Sequence, residues 1–254
     1  MKVLILMVYF NRPILARNAL KSVLRANEYH KDLELMILDD NSPIPIKPIV
    51  KDVMKGHLHK VSVSNSKMSF DEKIHRGLII GEYANFGIRQ SDADIGITLC
   101  DDDEIYPTYL QDITQYFQKN PEVMYAYSHV SLFNPLIKSE RVPNLTSPYN
   151  KQGAINPVDV LDGSQVAFRL SCCKEHGAWF QQTTLCVEGM PWVKDTDKSF
   201  FEQLYERFGM AQPTGLISQY KAIHDWQLVW HKKTDAVGLK AHYDNLVKHG
   251  GTLF

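Results

Sequence analysis

Four consecutive acidic residues follow a short apolar segment before the middle of the chain. The segment Ile95–Cys100 leads directly into Asp101, Asp102, Asp103 and Glu104. Carboxylates fixed at the end of a strand cannot separate, so their mutual repulsion favours a bound cation. Alternate residues of an extended chain point the same way, which predicts that Asp101 and Asp103 face one site and Asp102 turns elsewhere. The pattern predicts a divalent-metal site, and the alternative is a solvated acidic turn.

The elements that must position these residues are predicted as buried parallel strands. Met1–Tyr9 is an unbroken apolar run, typical of a strand covered on both faces, and Pro13 suits the first turn of a following helix. Leu33–Leu38 and His57–Val63 are predicted as the second and third strands, with Ile95–Cys100 as the fourth. Strands that alternate with helices form a parallel α/β sheet, and such sheets bind ligands where strands end.

The second part of the chain is predicted to contain a helix, a strand, a long loop and a further helix. Pro107 opens the first helix, and Met124–Phe133 has the composition of a strand. Residues 134–157 are rich in Pro, Asn, Ser and Lys, which predicts a loop. Phe200–Phe208 has the periodicity of a helix with one apolar face, and Gly209 is expected to end it.

Several segments resemble the nucleotide-sugar half of family 2 glycosyltransferases with the GT-A fold. The similar segments are residues 8–13, 38–42, 84–88 and 99–107. Residues 38–42 are similar to the family's Asp-Asp-Gly-Ser turn, with Asn41 in place of glycine, and 99–107 resembles its aspartate-any-aspartate signature. Four motifs in the family's order are far more specific than any one of them.

The resemblance implies a fold and a division of the chain. The fold is α/β, a GT-A (Rossmann-like) fold with a mostly parallel central sheet flanked by helices. Residues 1–254 are expected to form a single GT-A domain, with the nucleotide-sugar half in 1–106 and the acceptor half, including the C-terminal segment, in 107–254.

The resemblance also assigns residues to the donor. The positions implied to bind the nucleotide-sugar are Tyr9, Asn11, Arg12, Asp39, Asp40, Asn85, Asp101 and Asp102. Either Asp39 or Asp40 would hold the base or the ribose. Asp101 and Asp103 would bind Mn²⁺ or Mg²⁺, and the family often supplies a late histidine as a third ligand. His224 is preferred over His231 for that role because its spacing is nearer the family's.

The acceptor side carries a fainter resemblance. Residues 163–169 are similar to the strand that floors the acceptor site, and 177–180 resemble a small-Gly-Phe turn, so Gly163, Arg169 and Trp179 are implied to bind acceptor. The family's catalytic base lies just before a helix, where this chain has Asp195 and Asp197. Asp197 is close enough to the helix start to cap it, which would make it a poorer base. Asp195 is therefore favoured.

The implied reaction is an inverting, metal-dependent transfer of a sugar from a nucleotide-sugar, most commonly a UDP-sugar, to a hydroxyl group of a saccharide or glycan precursor. One alternative is a phage-type enzyme acting on hydroxymethylated bases of DNA, since residues 220–248 interleave aromatic residues with Lys and His. A non-catalytic nucleotide- or sugar-binding protein is another. A nucleotidyltransferase should show a Gly-rich loop after its first strand, and residues 9–13 contain no glycine.

Composition limits the partners and the location. Lys and Arg number 28 against 29 Asp and Glu, so no global field attracts nucleic acid or an anionic membrane. The four cysteines lack zinc spacing, and the adjacent Cys172 and Cys173 cannot readily bridge each other. No stretch approaches about 18 apolar residues, and no export signal is recognised. We expect no integral membrane segment and a reducing, cytoplasmic setting, while the oligomeric state is not predicted.

Overall fold

The structure is a computed structural model. It describes residues 1–57, 60–67, 69, 80–133, 150–158, 160–181, 183–187, 190–194, 196–222 and 248. Three of the candidate site residues, Asp195, His224 and His231, lie outside these ranges, as does 134–149 of the expected loop.

Strands and helices alternate through the first half of the chain. The strands are β1 Val3–Tyr9, β2 Leu33–Asp39, β3 Val61–Asn65, β4 Ile95–Cys100, β5 Glu104–Ile105, β6 Tyr125–Phe133, β7 Val166–Arg169, β8 Thr183–Val187, β9 Met190–Lys194 and β10 Gln212–Ala222. The helices are α1 Pro13–Tyr29, α2 Ile46–Met54, α3 Ile80–Gln90, α4 Tyr109–Lys119, α5 Ser171–Lys174 and α6 Thr196–Phe208, and Gly163–Gln165 forms a 3₁₀ turn.

The described part of the chain forms an eight-stranded sheet in the order β3-β2-β1-β4-β7-β6-β10-β5, and β8 and β9 form a separate hairpin. The first four strands are parallel, and β10 is parallel to β6. The antiparallel strands are β7, which lies between β4 and β6, and β5, which pairs with β10. The predicted mostly parallel α/β sheet is therefore confirmed.

Both faces of β1 are buried, which explains its unbroken apolar sequence. Val3, Ile5 and Met7 pack in one apolar cluster with residues of α1, α2 and α4. Leu4 and Leu6 pack in the other, which includes residues of α3 and α6. The sheet is thus flanked by helices on two sides. Among the described residues, no helix combines the length and the apolar character that a membrane span requires.

Two predicted strands have different bounds in the structure. His57 is not in β3, because its N–H donates to Met54 at the end of α2 and β3 begins at Val61. The strand expected from Gly163 begins at Val166 instead. Asp162 makes a capping box with Ser164 and Gln165, which fixes the 3₁₀ turn ahead of β7.

Candidate active site

The acidic residues after β4 lie on a turn, so the predicted alternation of their side chains is wrong. The strand ends at Cys100, and the N–H of Asp103 donates to the Cys100 carbonyl at 3.3 Å, which closes a turn through Asp101 and Asp102. Side chains alternate only while a strand continues. Glu104 points away and pairs with Arg25 of α1 at 2.8 Å.

Arg12 neutralises two of the three aspartates. Its Nη1 lies 3.0 Å from Asp101 Oδ1 and 2.6 Å from Asp102 Oδ2. Asp101 also accepts a hydrogen bond from the N–H of Phe10 at 2.9 Å. The carboxylates therefore join the end of β4 to the end of β1, and Asp101 is directed at the β1 turn.

Asp103 interacts with residues of β10 instead. Its Oδ1 accepts a hydrogen bond from the N–H of Ala222 at 2.8 Å, and its Oδ2 lies 3.6 Å from Lys221 Nζ. The same ammonium lies 2.9 Å from Asp162 Oδ2. Asp103 is fully buried, and its Oδ2 accepts no hydrogen bond from the described residues. A buried carboxylate oxygen without a donor is an available ligand atom.

Burial favours the protonated forms of two carboxylates of this turn, those of Asp101 and Asp103. Burial raises the pKa of Asp101 to about 7, with Asp102 adding to the effect and Arg12 opposing it. Burial also raises the pKa of Asp103 to about 7, while Lys221 opposes it. Burial works against the charge of Lys221 too, yet Asp103 and Asp162 raise its pKa well above the usual value.

Among the described residues, negative charge is in surplus at this site. Asp101, Asp102, Asp103 and Asp162 face the cations of Arg12 and Lys221, which leaves two negative charges when all are ionised. A divalent cation would balance that charge. A ligand atom from each of Cys100, Asp102 and Asp103 lies within 4.8 Å of the other two. The geometry brings Cys100, rather than Asp101, into this group.

Three residues expected at the nucleotide-sugar organise the loops after β1 and β2. Tyr9 is fully buried, and its hydroxyl donates to the Ile44 carbonyl at 2.7 Å. Asn11, also fully buried, accepts from the N–H of Ile44 at 3.1 Å. Asp39 accepts from the N–H groups of Ser42 and Ile46, both at 2.9 Å, and so fixes the start of α2. The strand ends thus use these polar groups internally.

The turn after β2 explains one departure from the family's sequence. Asn41 has a φ of 56°, in the left-handed region where glycine is favoured and asparagine is tolerated. Asp40, just before it, is buried at the strand end beside this turn. Of the two aspartates, Asp40 is the one whose carboxylate is not fixed on the start of α2.

Asn85 and Trp179 meet in a layer formed by α3, α6 and the 177–180 turn. The amide of Asn85 donates to the Phe180 carbonyl at 2.7 Å, and its oxygen accepts from the Phe180 N–H at 3.0 Å. Both polar atoms of Asn85 therefore hydrogen-bond to the turn, and its role at the donor stays a prediction. Trp179 has the Arg89 guanidinium 4.7 Å from its ring centre, and Gln203 hydrogen-bonds to its backbone.

Arg169, expected to bind the acceptor, lies at the opposite end of β4 from the acidic turn. It pairs in register with Ile95 at the start of β4, roughly 16 Å along the strand from Cys100. Its guanidinium donates to the carbonyls of Val123 and Phe117 at 2.9 and 2.8 Å, next to the C-terminus of α4. Because β7 is antiparallel to β4, only the first residues of the 163–169 segment approach the site.

Gly163 is at the near end of that segment. Its N–H donates to Asp197 Oδ2 at 3.1 Å, so the first turn of α6 is attached to the 3₁₀ turn. Both residues line a small crevice with Thr98 of β4 and Phe180. Asp197 was expected to cap its own helix, and the structure gives its carboxylate a partner on another element.

Sequence reasoning missed three residues of the site. Cys100 was given no role, although it is the last residue of β4. Lys221 and Asp162 were missed because β10 was not predicted, since Pro213 and Gly215 weaken its strand pattern. The available signal was Lys221, a single lysine between the apolar residues Tyr220 and Ala222.

An acidic cluster at the C-terminal end of a central parallel strand is the position that the sequence resemblance implied for the aspartate-any-aspartate signature, although the cluster lies on a turn. The family model described as Glycosyl transferase family 2 matches residues 4–175. The chain belongs to glycosyl transferase family 2. It is thereby a glycosyltransferase, as the resemblance predicted, rather than a nucleotidyltransferase.

Similar solved structures show the same GT-A fold. Residues 1–349 of TarS from S. aureus are 15% identical with a TM-score of 0.64, and the match covers 97% of this chain and 69% of that one. The same TarS fragment in complex with UDP-GlcNAc is 14% identical with a TM-score of 0.65, covering 97% and 70%. A longer TarS structure is 15% identical with a TM-score of 0.63, covering 100% of this chain and 44% of that one. Comparison with curated proteins gave no match.

Proposed function

We propose that this glycosyltransferase moves a sugar from a UDP-sugar to a hydroxyl group in an inverting reaction that depends on a divalent cation. The observation that carries the proposal is the surplus negative charge after β4, where Asp103 has a buried oxygen without a hydrogen-bond donor. Oxygen ligands of this kind fit Mn²⁺ or Mg²⁺. When bound, the cation would stabilise the charge that develops on the leaving diphosphate.

The residues around the turn have separable tasks in this proposal. Arg12 holds Asp101 and Asp102 in place through direct ion pairs. Lys221 brings a second fixed positive charge to the side of the turn where Asp103 lies, and we propose that it helps to offset the charge of the diphosphate. Asp40 is the proposed contact for the base or ribose.

UDP is the proposed nucleotide because TarS, which shares the fold, has been captured with UDP and with UDP-GlcNAc. We retain His224, ahead of His231, as the proposed third ligand of the cation. Asp101 remains a proposed ligand as well, although its carboxylate contacts Arg12 and the N–H of Phe10.

For the catalytic base we retain Asp195 ahead of Asp197. A general base must be free to reach the acceptor hydroxyl, and the carboxylate of Asp197 is already hydrogen-bonded to Gly163. Attack by the deprotonated hydroxyl on the face opposite the diphosphate would invert the anomeric centre.

Asp195→Asn should abolish transfer while leaving donor affinity within a few-fold, and Asp197→Asn should mainly lower stability, by about 1 kcal/mol. Exchanged phenotypes would make Asp197 the base.

The deciding experiment measures UDP-sugar binding by calorimetry and UDP release by a coupled assay, with a panel of UDP-sugars, in added Mn²⁺ or Mg²⁺ and in excess chelator. Asp103→Asn should remove cation-dependent binding and turnover, since loss of a direct ligand costs on the order of several kcal/mol. Asp52→Asn is the matched control, because Asp52 is an exposed partner of Arg17. Full activity in chelator would contradict the metal dependence.

A saccharide or glycan precursor is the proposed acceptor. Binding of such an acceptor should vary little with salt, whereas a DNA acceptor held by its phosphates would lose affinity steeply. Anisotropy with plain and hydroxymethylpyrimidine DNA across a salt series separates the two. Salt-sensitive micromolar binding would favour DNA.

We also propose a reducing, cytoplasmic setting for the enzyme. Cys100, Cys172 and Cys173, whose side chains the structure describes, are free thiols, which supports such a setting. Fractionation of the cells that make the protein, with thiol labelling before lysis, would test it.

A further inference from the structure

The thiol of Cys100 is part of the acidic turn. Cys100 is the last residue of β4, and its side chain is exposed, whereas Asp102 and Asp103 are buried. A ligand atom from each of the three residues lies within 4.8 Å of the other two. That separation allows one small cation to contact all three.

A second, independent observation indicates that a ligand belongs there. Oδ2 of Asp103 is buried and accepts no hydrogen bond from the described residues, while Oδ1 is fixed by the N–H of Ala222. The cation nearest to Oδ2, Lys221 Nζ, is 3.6 Å away and lies closer to Asp162. Oδ2 thus has a long ion pair with Lys221 but no hydrogen-bond donor among the described residues, so it can accept a further cation.

The other two groups are held in place by the fold. Asp102 Oδ2 lies 2.6 Å from Arg12 Nη1, which fixes the carboxylate beside the end of β4. Cys100 pairs in register with Val8 of the central strand β1. A set of ligands fixed before binding loses little conformational entropy when the cation arrives.

We infer that Cys100, Asp102 and Asp103 form a mixed sulfur and oxygen site that prefers thiophilic divalent cations over Mg²⁺. Mg²⁺ favours oxygen ligands and retains its waters, whereas sulfur strengthens binding of Zn²⁺ and of its spectroscopic substitute Cd²⁺. Mn²⁺ falls between these two groups. The inference rests on the proposed function, because it refines the cation preference of the site that is proposed to bind the UDP-sugar.

The test uses the full chain and compares wild type with Cys100→Ser, which keeps the size of the side chain but removes sulfur. Cd²⁺ is titrated while the sulfur-to-cadmium charge-transfer absorbance is followed, and Zn²⁺, Mn²⁺ and Mg²⁺ affinities are measured by calorimetry. Cys100→Ser should lose the absorbance band and bind Cd²⁺ and Zn²⁺ at least about tenfold more weakly, with Mg²⁺ affinity nearly unchanged. Asp103→Asn should weaken the binding of every cation.

Alkylation supplies a second measurement. Iodoacetamide at alkaline pH should label the exposed thiol of Cys100 in the native protein, and Zn²⁺ or Cd²⁺, but not equimolar Mg²⁺, should protect it. Alkaline pH is needed because desolvation, with nearby Asp103 adding to the effect, raises the pKa of this thiol well above its usual value. Cys172 is the internal control, because its buried side chain is out of reach of the reagent.

The outcomes separate the two proposals. Equal Cd²⁺ affinity and an unchanged band in Cys100→Ser would overturn the role of the thiol and leave the metal-dependent transferase intact. Absence of any divalent binding to the wild type would overturn both. Cd²⁺ binding through Cys100 without any binding or turnover of UDP-sugars would support the site and contradict the proposed donor.

Discussion

The N–H of Gly163 donates to Oδ2 of Asp197 at 3.1 Å, and this bond attaches the first turn of α6 to the turn that precedes β7. The approach is close because residue 163 has no side chain. A Cβ added at Gly163 would lie 2.4 Å from that oxygen. The lack of a side chain at residue 163 therefore lets the Asp197 carboxylate lie against this backbone.

We predict that Gly163→Ala lowers the free energy of unfolding by about 1–3 kcal/mol, because the new methyl group displaces the Asp197 carboxylate. The measurement is urea denaturation of Gly163→Ala, Asp197→Ala and the double variant. In the Asp197→Ala background the added methyl group should cost less than about 0.5 kcal/mol, since the clashing oxygen is gone. Additive effects would show that the contact is not the cause.

Lys221→Met should lower the free energy of unfolding by about 3 kcal/mol in chelator, because it leaves the buried carboxylate of Asp103 and the partly exposed carboxylate of Asp162 without their shared cation. Denaturation of the matched variant Lys60→Met is the control. Lys60 also pairs with a buried carboxylate, that of Glu34, but its own side chain is half exposed and Lys2 contacts the same carboxylate. We expect that variant to lose less than about 1 kcal/mol. Equal losses would contradict the importance of burial at Lys221.

Stability in chelator should fall as the pH rises from about 4 to about 7. Asp101 and Asp103 have a pKa near 7 in the folded protein, against an ordinary value of 3.8, so the folded state binds more protons than the unfolded state across this interval. Melting temperatures measured at pH 5 and pH 7.5 should therefore differ more in the wild type than in Asp103→Asn. Added Mn²⁺ should remove most of this difference in melting temperature. A wild-type melting temperature that does not change with pH would contradict the raised pKa values of Asp101 and Asp103.

Arg169→Met should lower stability without changing donor affinity. The variant removes hydrogen bonds to the carbonyls of Phe117 and Val123, which we expect to cost about 1–3 kcal/mol. Calorimetry with a UDP-sugar should give the wild-type affinity, because Arg169 lies on β7 beside the start of β4, at the opposite end of that strand from the acidic turn. Arg17→Met, which breaks an exposed pair with Asp52, should change stability by less than about 0.5 kcal/mol. A loss of acceptor turnover at full stability would restore the acceptor role that the sequence implied.

The parts of the fold that depend on local pattern were predictable from sequence. The predicted bounds of β4, Ile95–Cys100, match the structure because an apolar run and an abrupt acidic boundary define that strand. Pro13 begins α1, and Gly209, with a φ of 76°, follows the end of α6 as expected. Each of these signals is contained within a few residues.

The arrangement of the site depended on information that is not local. The turn at Asp101 and Asp102 could not be read from a run of identical residues, because nothing in the run marks where extended geometry stops. Lys221 reaches Asp103 only through the pairing of β10 with β6 and β5. Side-chain type alone also did not reveal that the hydroxyl of Tyr9 hydrogen-bonds to the Ile44 carbonyl.

The hydrogen bond from Ala222 to Asp103 spans 119 residues of sequence, and it sets a time order for synthesis. During translation, the β4 turn leaves the ribosome long before β10 does, and contacts that are distant in sequence form late. Until residue 222 is available, the nascent chain has no N–H for Asp103 and no ammonium between Asp103 and Asp162. The cation site therefore becomes complete only after most of the chain has been made.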